Sequence, residues 1–392
     1  MKGALRTRKF FGLVAGMVGS LLLALIVASP LHAGTVKGGD PLPGLTAPEL
    51  AQFDEGTLTF RTPVFAQQGL GPAFNATRCY SCHHGHGLGG QSKILETRFG
   101  RVDMGVFDPL ASLGGSLQQI RAISAECAEA VPVEANIVIQ RNSTSALGAG
   151  LTEAIPDQQI IDRAAAELVE NPARAGRVHM VTEVSDGLPH PGRFGWKAQH
   201  ALIVDFSGDA MLNELGFTNA LFPTDNAPNG NLALLAQCDS VADPEDTTDF
   251  LHKVTNVQRF LAPPAVPKVT DLTIQGEALF NSIGCAFCHY RGYTTVSSSA
   301  ALDGKSVDLF SDLLLHDIGT GDGIEQGDAK GNEFRTAFLW GLRGTYPYLH
   351  DGRAHTVAEA IDMHQGQALD VRNAYTALSA FEKNAVLRFL RR

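Results

Sequence analysis

The chain has 392 residues, of which 44% are hydrophobic and 18% are charged, and this balance is that of a globular protein long enough for two domains. Its formal net charge is −10, and the charge beyond residue 33 is −14, because residues 1–33 contain four basic and no acidic residues. An acidic surface argues against binding to nucleic acid and suits a basic or neutral partner.

The N-terminus has the pattern of a secretory signal. Its basic residues are followed by the uncharged stretch 10–29, and Leu31-His32-Ala33 ends on a small residue, as a leader-peptidase site does. We therefore predict that residues 1–33 are a signal peptide and that the mature protein is periplasmic. The apolar stretch is long for a cleaved signal, so an uncleaved membrane anchor is the alternative.

The sequence contains the pattern Cys-x-x-Cys-His twice, which is the attachment motif of c-type haem. Two thiols at this spacing can form thioether bonds to the vinyl groups of one porphyrin, and the adjacent histidine then supplies a nitrogen ligand to the iron. A zinc site would explain four cysteines but not the histidine after each pair, and a redox dithiol would need only one pair. We predict two covalently bound haems c, held by Cys79, Cys82 and His83 in the first motif and by Cys285, Cys288 and His289 in the second.

The sequences around the two motifs differ. Residues 275–280 have apolar side chains at helical spacing just before Cys285, as at the start of a cytochrome c domain. The glycine-rich stretch after His83 is predicted to be a loop near the porphyrin edge, with His84 and His86 facing solvent.

Two further segments are similar to each other and indicate a repeat. Residues 141–156, RNSTSALGAGLTEAIP, and residues 335–350, RTAFLWGLRGTYPYLH, both begin with arginine and a polar residue and continue through an apolar–glycine step toward a proline. A repeat that follows each motif is explained by two related domains in tandem. We therefore predict a mainly α fold with two tandem cytochrome-c-like haem domains.

The Pro-rich segment 261–268 is the predicted linker between these domains. The N-terminal haem domain then covers residues 34–260, and the C-terminal haem domain covers residues 269–392. The N-terminal domain is the longer one, and its extra length includes a helical pattern over Gln158–Glu170.

The segment after the second motif offers a distal ligand for its haem. Thr356 and Glu359 have the spacing of a capping box, which predicts a helix that begins there and runs toward Gly366. On a helical wheel His364 falls in the middle of the apolar face, whereas Met363 lies nearer the polar side. A neutral imidazole on a buried face needs a partner, and iron is a suitable one. We predict His364 as the distal ligand of the second haem, with Met363 as the alternative.

No segment offers an equally clear distal ligand for the first haem. None of the remaining histidines and methionines has a comparable helix around it, so this iron is either open, as oxidant chemistry requires, or has a ligand that the pattern does not identify. The candidates are His179, His190, His200, Met104, Met180 and Met211.

Five segments closely resemble the di-haem oxidoreductase family, whose members are often labelled peroxidases or thiol oxidoreductases. They are FNATRCYSCHHGHGLGG, RNSTSALGAGLTEAIPD, GRFGWKAQ, SDLLLHDIGTG and RTAFLWGLRGTYPYLHDGRAHTVAEAIDMHQGQA. More distantly, both repeats are similar to bacterial di-haem cytochrome c peroxidases and to the di-haem enzyme that matures methylamine dehydrogenase. The resemblance implies that one haem meets peroxide and that the other relays or stores electrons.

The resemblance also implies roles for single residues. The peroxidases have a methionine where this chain has His364, so a bis-histidine second haem of low reduction potential is expected, because thioether ligation raises the potential. Glu153 lies where the related peroxidases carry their catalytic glutamate, and a carboxylate in a dry pocket can move the proton that peroxide cleavage requires. A surface or helix-capping role is the alternative for Glu153. A calcium ion between the haems is implied as well, although no calcium-binding loop is visible.

Several other residues have weaker assignments. Cys127 and Cys238 remain outside the motifs and are predicted to form a disulfide. The proposed partners of the haem propionates are Arg193, Lys197, Arg335 and Arg353, with His316 and His350 as further hydrogen-bond donors. Trp196 and Trp340 are interpreted as aromatic core residues, with a position between the porphyrins as the alternative.

The sequence thus predicts an exported, peroxidase-like oxidoreductase. Its oxidant is expected to be hydrogen peroxide or another small oxidant, and its electron donor a small redox protein or another periplasmic donor. The first haem is the expected reaction site and the second the electron relay. The alternatives are an electron carrier with both haems six-coordinate and a haem oxygenase-type enzyme that uses dioxygen.

Overall fold

The computed structural model describes residues 1, 37–85, 87–265 and 268–392. Apart from residue 1, the predicted signal peptide lies outside the described ranges, as do His86 and positions 266–267 of the predicted linker. None of the helices in the described ranges is long and apolar enough to cross a membrane.

Helices account for 36% of the structure and strands for 13%, so the fold is mixed and the prediction of a mainly α fold is wrong. Within the described ranges the α-helices are α1 Ala47–Arg61, α2 Ala149–Glu153, α3 Asp157–Glu170, α4 Ile203–Leu215, α5 Leu232–Cys238, α6 Phe250–Phe260, α7 Asp271–Ser282, α8 Val357–Asp362, α9 Leu369–Ala377 and α10 Ala380–Leu390. The predicted helix at Gln158–Glu170 and the predicted helix before the second motif are confirmed as α3 and α7.

The strands are mostly two or three residues long, which is why a search for periodic patterns did not find them. In the same part of the chain they are β1 Ala73–Phe74, β2 Leu95–Asp103, β3 Val106–Asp108, β4 Leu117–Gln118, β5 Arg121–Ala122, β6 Ile137–Asn142, β7 Met180–Thr182, β8 Pro189–Pro191, β9 Tyr293–Thr294, β10 Ser306–Val307, β11 Leu315–His316 and β12 Phe334–Arg335.

One four-stranded antiparallel sheet organises the first half of the chain. Strand β2 is its centre and pairs with β3, β4 and β6. In this register Glu96 lies opposite Arg141, and Arg98 lies opposite Ile139. Because alternate residues of a strand share a face, the sheet brings ionisable side chains of β2 and β6 to one wall of the interior.

Two similar helix pairs lie beside the two cysteine motifs. Helix α1 packs on α6 and helix α7 packs on α10. A Cβ at Gly56 of α1 would collide with a carbonyl oxygen of α6, and a Cβ at Gly276 of α7 would collide with one of α10, so glycine permits both close approaches. Four residues later, Phe60 and Phe280 are both buried. The helix before the second motif therefore has a counterpart before the first.

The described residues from 37 onward form one compact unit. Its largest hydrophobic cluster joins side chains from both halves of the chain, including Phe60 and Val257 from the first and Tyr293 and Leu309 from the second. The division into two domains at residues 261–268 stays a prediction. The predicted disulfide is confirmed, because Cys127 and Cys238 are bonded to each other.

Candidate functional site

Both Cys-x-x-Cys-His motifs line a single cavity in the interior. Each motif begins with one turn of 3-10 helix, at Cys79–Ser81 and at Cys285–Phe287. The backbone N–H of the motif histidine then donates to the carbonyl oxygen of the first cysteine, over 3.1 Å for His83 and 3.0 Å for His289. The turn therefore presents both sulfurs and the imidazole of each motif to the same space.

The four motif cysteines are not bonded to one another. Burial raises the pKa of Cys79, Cys82 and Cys285 to about 12. A dithiol redox centre needs a stabilised thiolate, which such an environment opposes. The surroundings of these thiols thus disfavour dithiol chemistry.

The motif histidines have equivalent aromatic neighbours. The ring of Phe60 lies 6.2 Å from that of His83, and the ring of Phe280 lies 6.3 Å from that of His289, with similar interplanar angles of 55° and 51°. Each phenylalanine comes from the helix that precedes its motif. The two motifs are therefore held by the same local arrangement.

Around the second motif, two histidines have one ring nitrogen fixed by the backbone. His289 Nδ1 lies 2.9 Å from the carbonyl oxygen of Phe310, and His364 Nδ1 lies 2.7 Å from that of Ala360. A carbonyl accepts only from N–H, so Nδ1 carries the proton in both rings and Nε2 keeps its lone pair. Burial, with the neighbouring His364 as the next cause, lowers the pKa of His289 to about 4. Both imidazoles are therefore suited to bind a metal.

The helix that was predicted to carry His364 ends earlier in the structure than the sequence predicted. Thr356 caps it through the N–H of Glu359, but α8 ends at Asp362 and Met363 is its C-terminal cap. His364 lies just beyond this end and lines the cavity, whereas Met363 does not. The placement favours His364 over Met363 as the residue that faces the second motif.

Around the first motif no second histidine has this arrangement in the described residues. His83 is half-buried, its buried Nδ1 has no hydrogen-bond partner among those residues, and burial lowers the pKa of the imidazole to about 4. Of the six candidate distal ligands, only Met211 of α4 lines the cavity. His84 is exposed, as predicted.

The other candidates lie elsewhere and have structural partners. His179 Nδ1 is 2.7 Å from the carbonyl oxygen of Lys197, and His190 Nδ1 is 2.7 Å from a carboxylate oxygen of Asp157. His200 lies between two carboxylates, which raise its pKa to about 9 against the opposing effect of burial. Met104 and Met180 are exposed.

Glu153 is not among the residues that line the cavity. One of its carboxylate oxygens accepts from the backbone N–H of Ile203 at 2.8 Å, and the other accepts from Arg259 Nε at 2.9 Å. Glu153 thus caps the start of α4 and pairs with α6. These contacts are those of the capping role, and its catalytic role stays a prediction without a geometric basis.

The cavity has its own carboxylates beside the first motif, and the sequence analysis missed them. Glu214 of α4 and Glu96 of β2 line the wall there, together with Arg98. Arg98 Nε donates to Glu96 at 3.0 Å, and Asn75 Nδ2 donates to Glu214 at 2.8 Å. Burial, and next the charge of Glu96, raises the pKa of Glu214 to about 7. Glu214 can therefore gain or lose a proton near neutral pH.

The arginines at the start of the two sequence repeats are both buried on the cavity wall. Arg141 Nε donates to Asp322 at 2.7 Å, but its Nη2 is buried without a partner in the described ranges. Arg335 donates to the carbonyl oxygen of Gly195 at 3.0 Å, and burial lowers its pKa to about 10. Unpaired guanidinium nitrogen at the wall suits an anionic group such as a haem propionate.

Of the other basic side chains proposed as propionate partners, Arg193, Lys197 and Arg353 do not line the cavity, whereas His316 and His350 do. Arg193 is held by Asp157 and by backbone carbonyls, and Lys197 Nζ donates to the carbonyl oxygens of Lys330 and Glu333. Arg353 pairs with Asp351 at the surface.

The remaining predicted residues lie on the cavity wall. Trp196 Nε1 donates to the carbonyl oxygen of Asn142 at 2.8 Å, and Trp340 packs edge-on against Phe338. His350 stacks on Phe334 with ring centroids 4.0 Å apart, and its buried Nε2 has no hydrogen-bond partner in the described part of the chain.

These features fit two haems. Each motif presents two reduced thiols and an imidazole to one cavity, the imidazoles of His289 and His364 have free Nε2 atoms, and buried donors at the wall lack partners. His316 contributes a different contact, because its Nε2 lies 2.9 Å from Asp312 and its Nδ1 lies 3.8 Å from Cys288 Sγ.

Comparisons with known proteins agree with this interpretation. A family model described as "Di-haem oxidoreductase, putative peroxidase" matches residues 117–392, which is more than half of the chain and includes the second motif. A search of curated proteins found no match.

Several solved structures are similar to this chain at low identity. A MauG-like protein associated with microbial copper homeostasis is 15% identical with a TM-score of 0.39, over 93% of this chain and 94% of the other. The diheme peroxidase BthA from Burkholderia thailandensis is 13% identical with a TM-score of 0.39, over 87% of this chain and 85% of the other. Hydrazine synthase from Kuenenia stuttgartiensis is 21% identical with a TM-score of 0.26, and the match covers 37% of this chain and 55% of that one, about half of its length.

Proposed function

This chain belongs to the di-haem oxidoreductase family, and we propose that it is an exported, periplasmic peroxidase that reduces a peroxide with electrons passed between two covalently bound haems c. The observation that carries the proposal is the single cavity lined by both Cys-x-x-Cys-His motifs. When bound there, the haems supply iron that takes up electrons and delivers them to the oxidant.

The side of the cavity near the second motif, here called the second side, suits a haem that relays electrons. The backbone fixes the imidazoles of His289 and His364 through Nδ1, at Phe310 and Ala360. Ligands that are oriented before the metal binds need little rearrangement when its charge changes. With both imidazoles as its ligands, an iron bound on this side would have no open position for a substrate.

The side of the cavity near the first motif, here called the first side, suits proton transfer. His83 would supply a nitrogen ligand to the iron, and Glu214, whose pKa is raised to about 7, lies on the wall of the same cavity. Peroxide reduction needs a proton removed from one oxygen and delivered to the other, and a base with a pKa near the working pH does this most effectively. Asn75 orients Glu214 through its amide, so we assign the acid–base role to Glu214 in place of Glu153.

Electron paramagnetic resonance of the oxidised protein tests the proposal. One high-spin and one low-spin ferric signal are expected, and addition of peroxide to the reduced protein should reoxidise both centres. Two low-spin signals with no reaction toward peroxide would indicate an electron carrier, with Met211 as the ligand that closes the first site. Reoxidation by dioxygen with incorporation of oxygen into a substrate, and none by peroxide, would indicate the oxygenase.

A further inference from the structure

Three carboxylates form a cluster away from the haem cavity. Asp225, Asp239 and Glu245 each place a carboxylate oxygen within 4.8 Å of the others. They lie in the segment between α4 and α6, and none of them lines the cavity. None of the three forms an ion pair within the residues that the structure describes.

Asp225 is the residue that makes this cluster unusual. Only 7% of it is exposed, and both of its carboxylate oxygens are buried without a hydrogen-bond partner in the described ranges. Glu245 is 4% exposed. An ionised carboxylate is costly to bury without a partner, and each such group in a native structure calls for one. An unpaired anion is stabilised by a nearby positive charge or hydrogen-bond donor, but the nearest charged groups to Asp225 in this cluster are two more carboxylates.

The chain holds the cluster in place through its backbone. The N–H of Thr218 donates to Glu245 at 2.9 Å, and Asp239 directly follows Cys238 of the disulfide. A Cβ at Gly69 would come within 2.7 Å of the Glu245 side chain, so a glycine at that position makes room for the carboxylate. Glu245 and Asp239 are therefore held by separate segments of the chain beside Asp225.

We propose that Asp225, Asp239 and Glu245 bind a divalent cation, and that this cation is Ca²⁺. A ligand set of carboxylate oxygens, with no nitrogen or sulfur atom, is typical of hard cations. Ca²⁺ binds six to eight oxygen ligands at about 2.3–2.6 Å. Ligands on opposite sides of such an ion lie about 4.6–5.2 Å apart, which accommodates the span of this cluster. Burial raises the pKa of Asp225 to about 8 and that of Glu245 to about 7, and a cation removes the repulsion that contributes to both shifts.

This site is separate from the interhaem calcium ion that the family resemblance implies. The cluster is joined to α4, because Thr218 lies three residues after Leu215 and contacts Glu245. Helix α4 also carries Glu214. A cation here therefore fixes the segment that follows the helix with the proposed acid–base residue.

Calcium binding to the purified full-length holoprotein tests the proposal. After treatment with EGTA, titration with CaCl₂ in a calorimeter should give at least one ion per chain, and saturation should raise Tm by about 4 °C, because a ligand that binds only the native state stabilises it. MgCl₂ should bind at least tenfold more weakly. Asp225→Asn should weaken Ca²⁺ binding at least tenfold, whereas Glu170→Gln, which removes an exposed charge on α3, should leave it unchanged.

The sign of the stability change gives the sharper result. At pH 8 in EGTA, Asp225→Asn should melt above the wild-type protein, because it removes a carboxylate that is buried without a partner when the cation is absent. In saturating Ca²⁺ the variant should melt below the wild-type protein. Tm values unaffected by Ca²⁺ in the wild-type protein, equal Ca²⁺ affinity in the variant, or tighter binding of Mg²⁺ would each overturn the proposal. Glu245→Gln should show the same reversal, and the haem absorbance spectrum reports whether either variant is folded.

Discussion

The two sides of the cavity have the same proximal arrangement and different distal ones. His83 and His289 have equivalent turns and equivalent phenylalanine neighbours. Opposite the second motif the chain offers His364, whereas near the first it offers the ionisable groups Glu96 and Glu214. Under the proposed function, one repeated scaffold serves electron transfer at one end and proton transfer at the other.

The largest expected effect comes from removing either cysteine pair. Replacement of both motif cysteines by alanine, at 79 and 82 or at 285 and 288, should remove one of the two covalent haems completely, because no thioether can form there. Mass spectrometry of the denatured protein should show the loss of one haem mass, and haem-stained gels should show a weaker band. Variants whose mass differs from the wild type only by the substitutions would contradict covalent attachment.

Next in size is the effect of Glu214→Gln on the first side. We expect peroxide reduction to slow by about 10²–10⁴-fold, since this is the usual contribution of a positioned acid–base group. The matched variant Glu153→Gln should change the rate less than about tenfold and instead lower the free energy of unfolding by about 1–2 kcal/mol, through the weakened cap and ion pair. Stopped-flow kinetics measure the two rates, and chemical denaturation measures the free energy of unfolding. A larger loss of rate in Glu153→Gln than in Glu214→Gln would identify Glu153 as the acid–base residue.

On the second side, His364→Met should exchange one axial ligand. The low-spin signal should persist, and the reduction potential of that haem should rise by on the order of 0.1–0.2 V, within the roughly 0.8 V range that axial ligands control. Potentiometric titration measures the shift. Met363→Leu is the control and should leave the potential unchanged, so a shift in this variant alone would identify Met363 as the ligand.

The smallest expected effect is a pH dependence confined to the first side. Glu214 acts as a base only when ionised, and its pKa is raised to about 7, so peroxide reduction should fall by about tenfold per pH unit below that value. The decrease should be absent in Glu214→Gln. Electron exchange at the second haem should not follow this profile, and a wild-type rate that is flat from pH 5 to 8 would exclude the assigned role.

The same contrast explains what the sequence could predict. The second side is built from local signals, because the helix α7, the motif and the cap at Thr356 each lie within a few residues of the groups they position. These features, and His364 on the cavity wall, followed from spacing alone.

The first side depends on contacts that are distant in sequence. Glu214 acquires its raised pKa from burial and from Glu96, and its orientation from Asn75, more than a hundred residues earlier. Strand β2 pairs with β6 across a long connection, and no local sequence pattern predicts which strand pairs with which. Tertiary strand pairing of this kind overrides the local secondary-structure propensity of the sequence. For this reason the sequence did not predict the mixed fold or the carboxylates of Glu96 and Glu214 on the cavity wall.

The buried ion pair of Arg141 with Asp322 joins the first sequence repeat to the segment that precedes the second. A backbone hydrogen bond from Asn142 N–H to the carbonyl oxygen of His350, over 2.7 Å, joins the two repeats directly. A second bond, from Arg335 N–H to the carbonyl oxygen of Trp196 over 2.8 Å, joins the second repeat to the chain between them. Breaking a buried pair leaves an uncompensated charge, so neither repeat can melt while the other stays intact. The molecule should therefore denature in a single cooperative step, and a chain nicked by protease near residue 265 should keep its two fragments together.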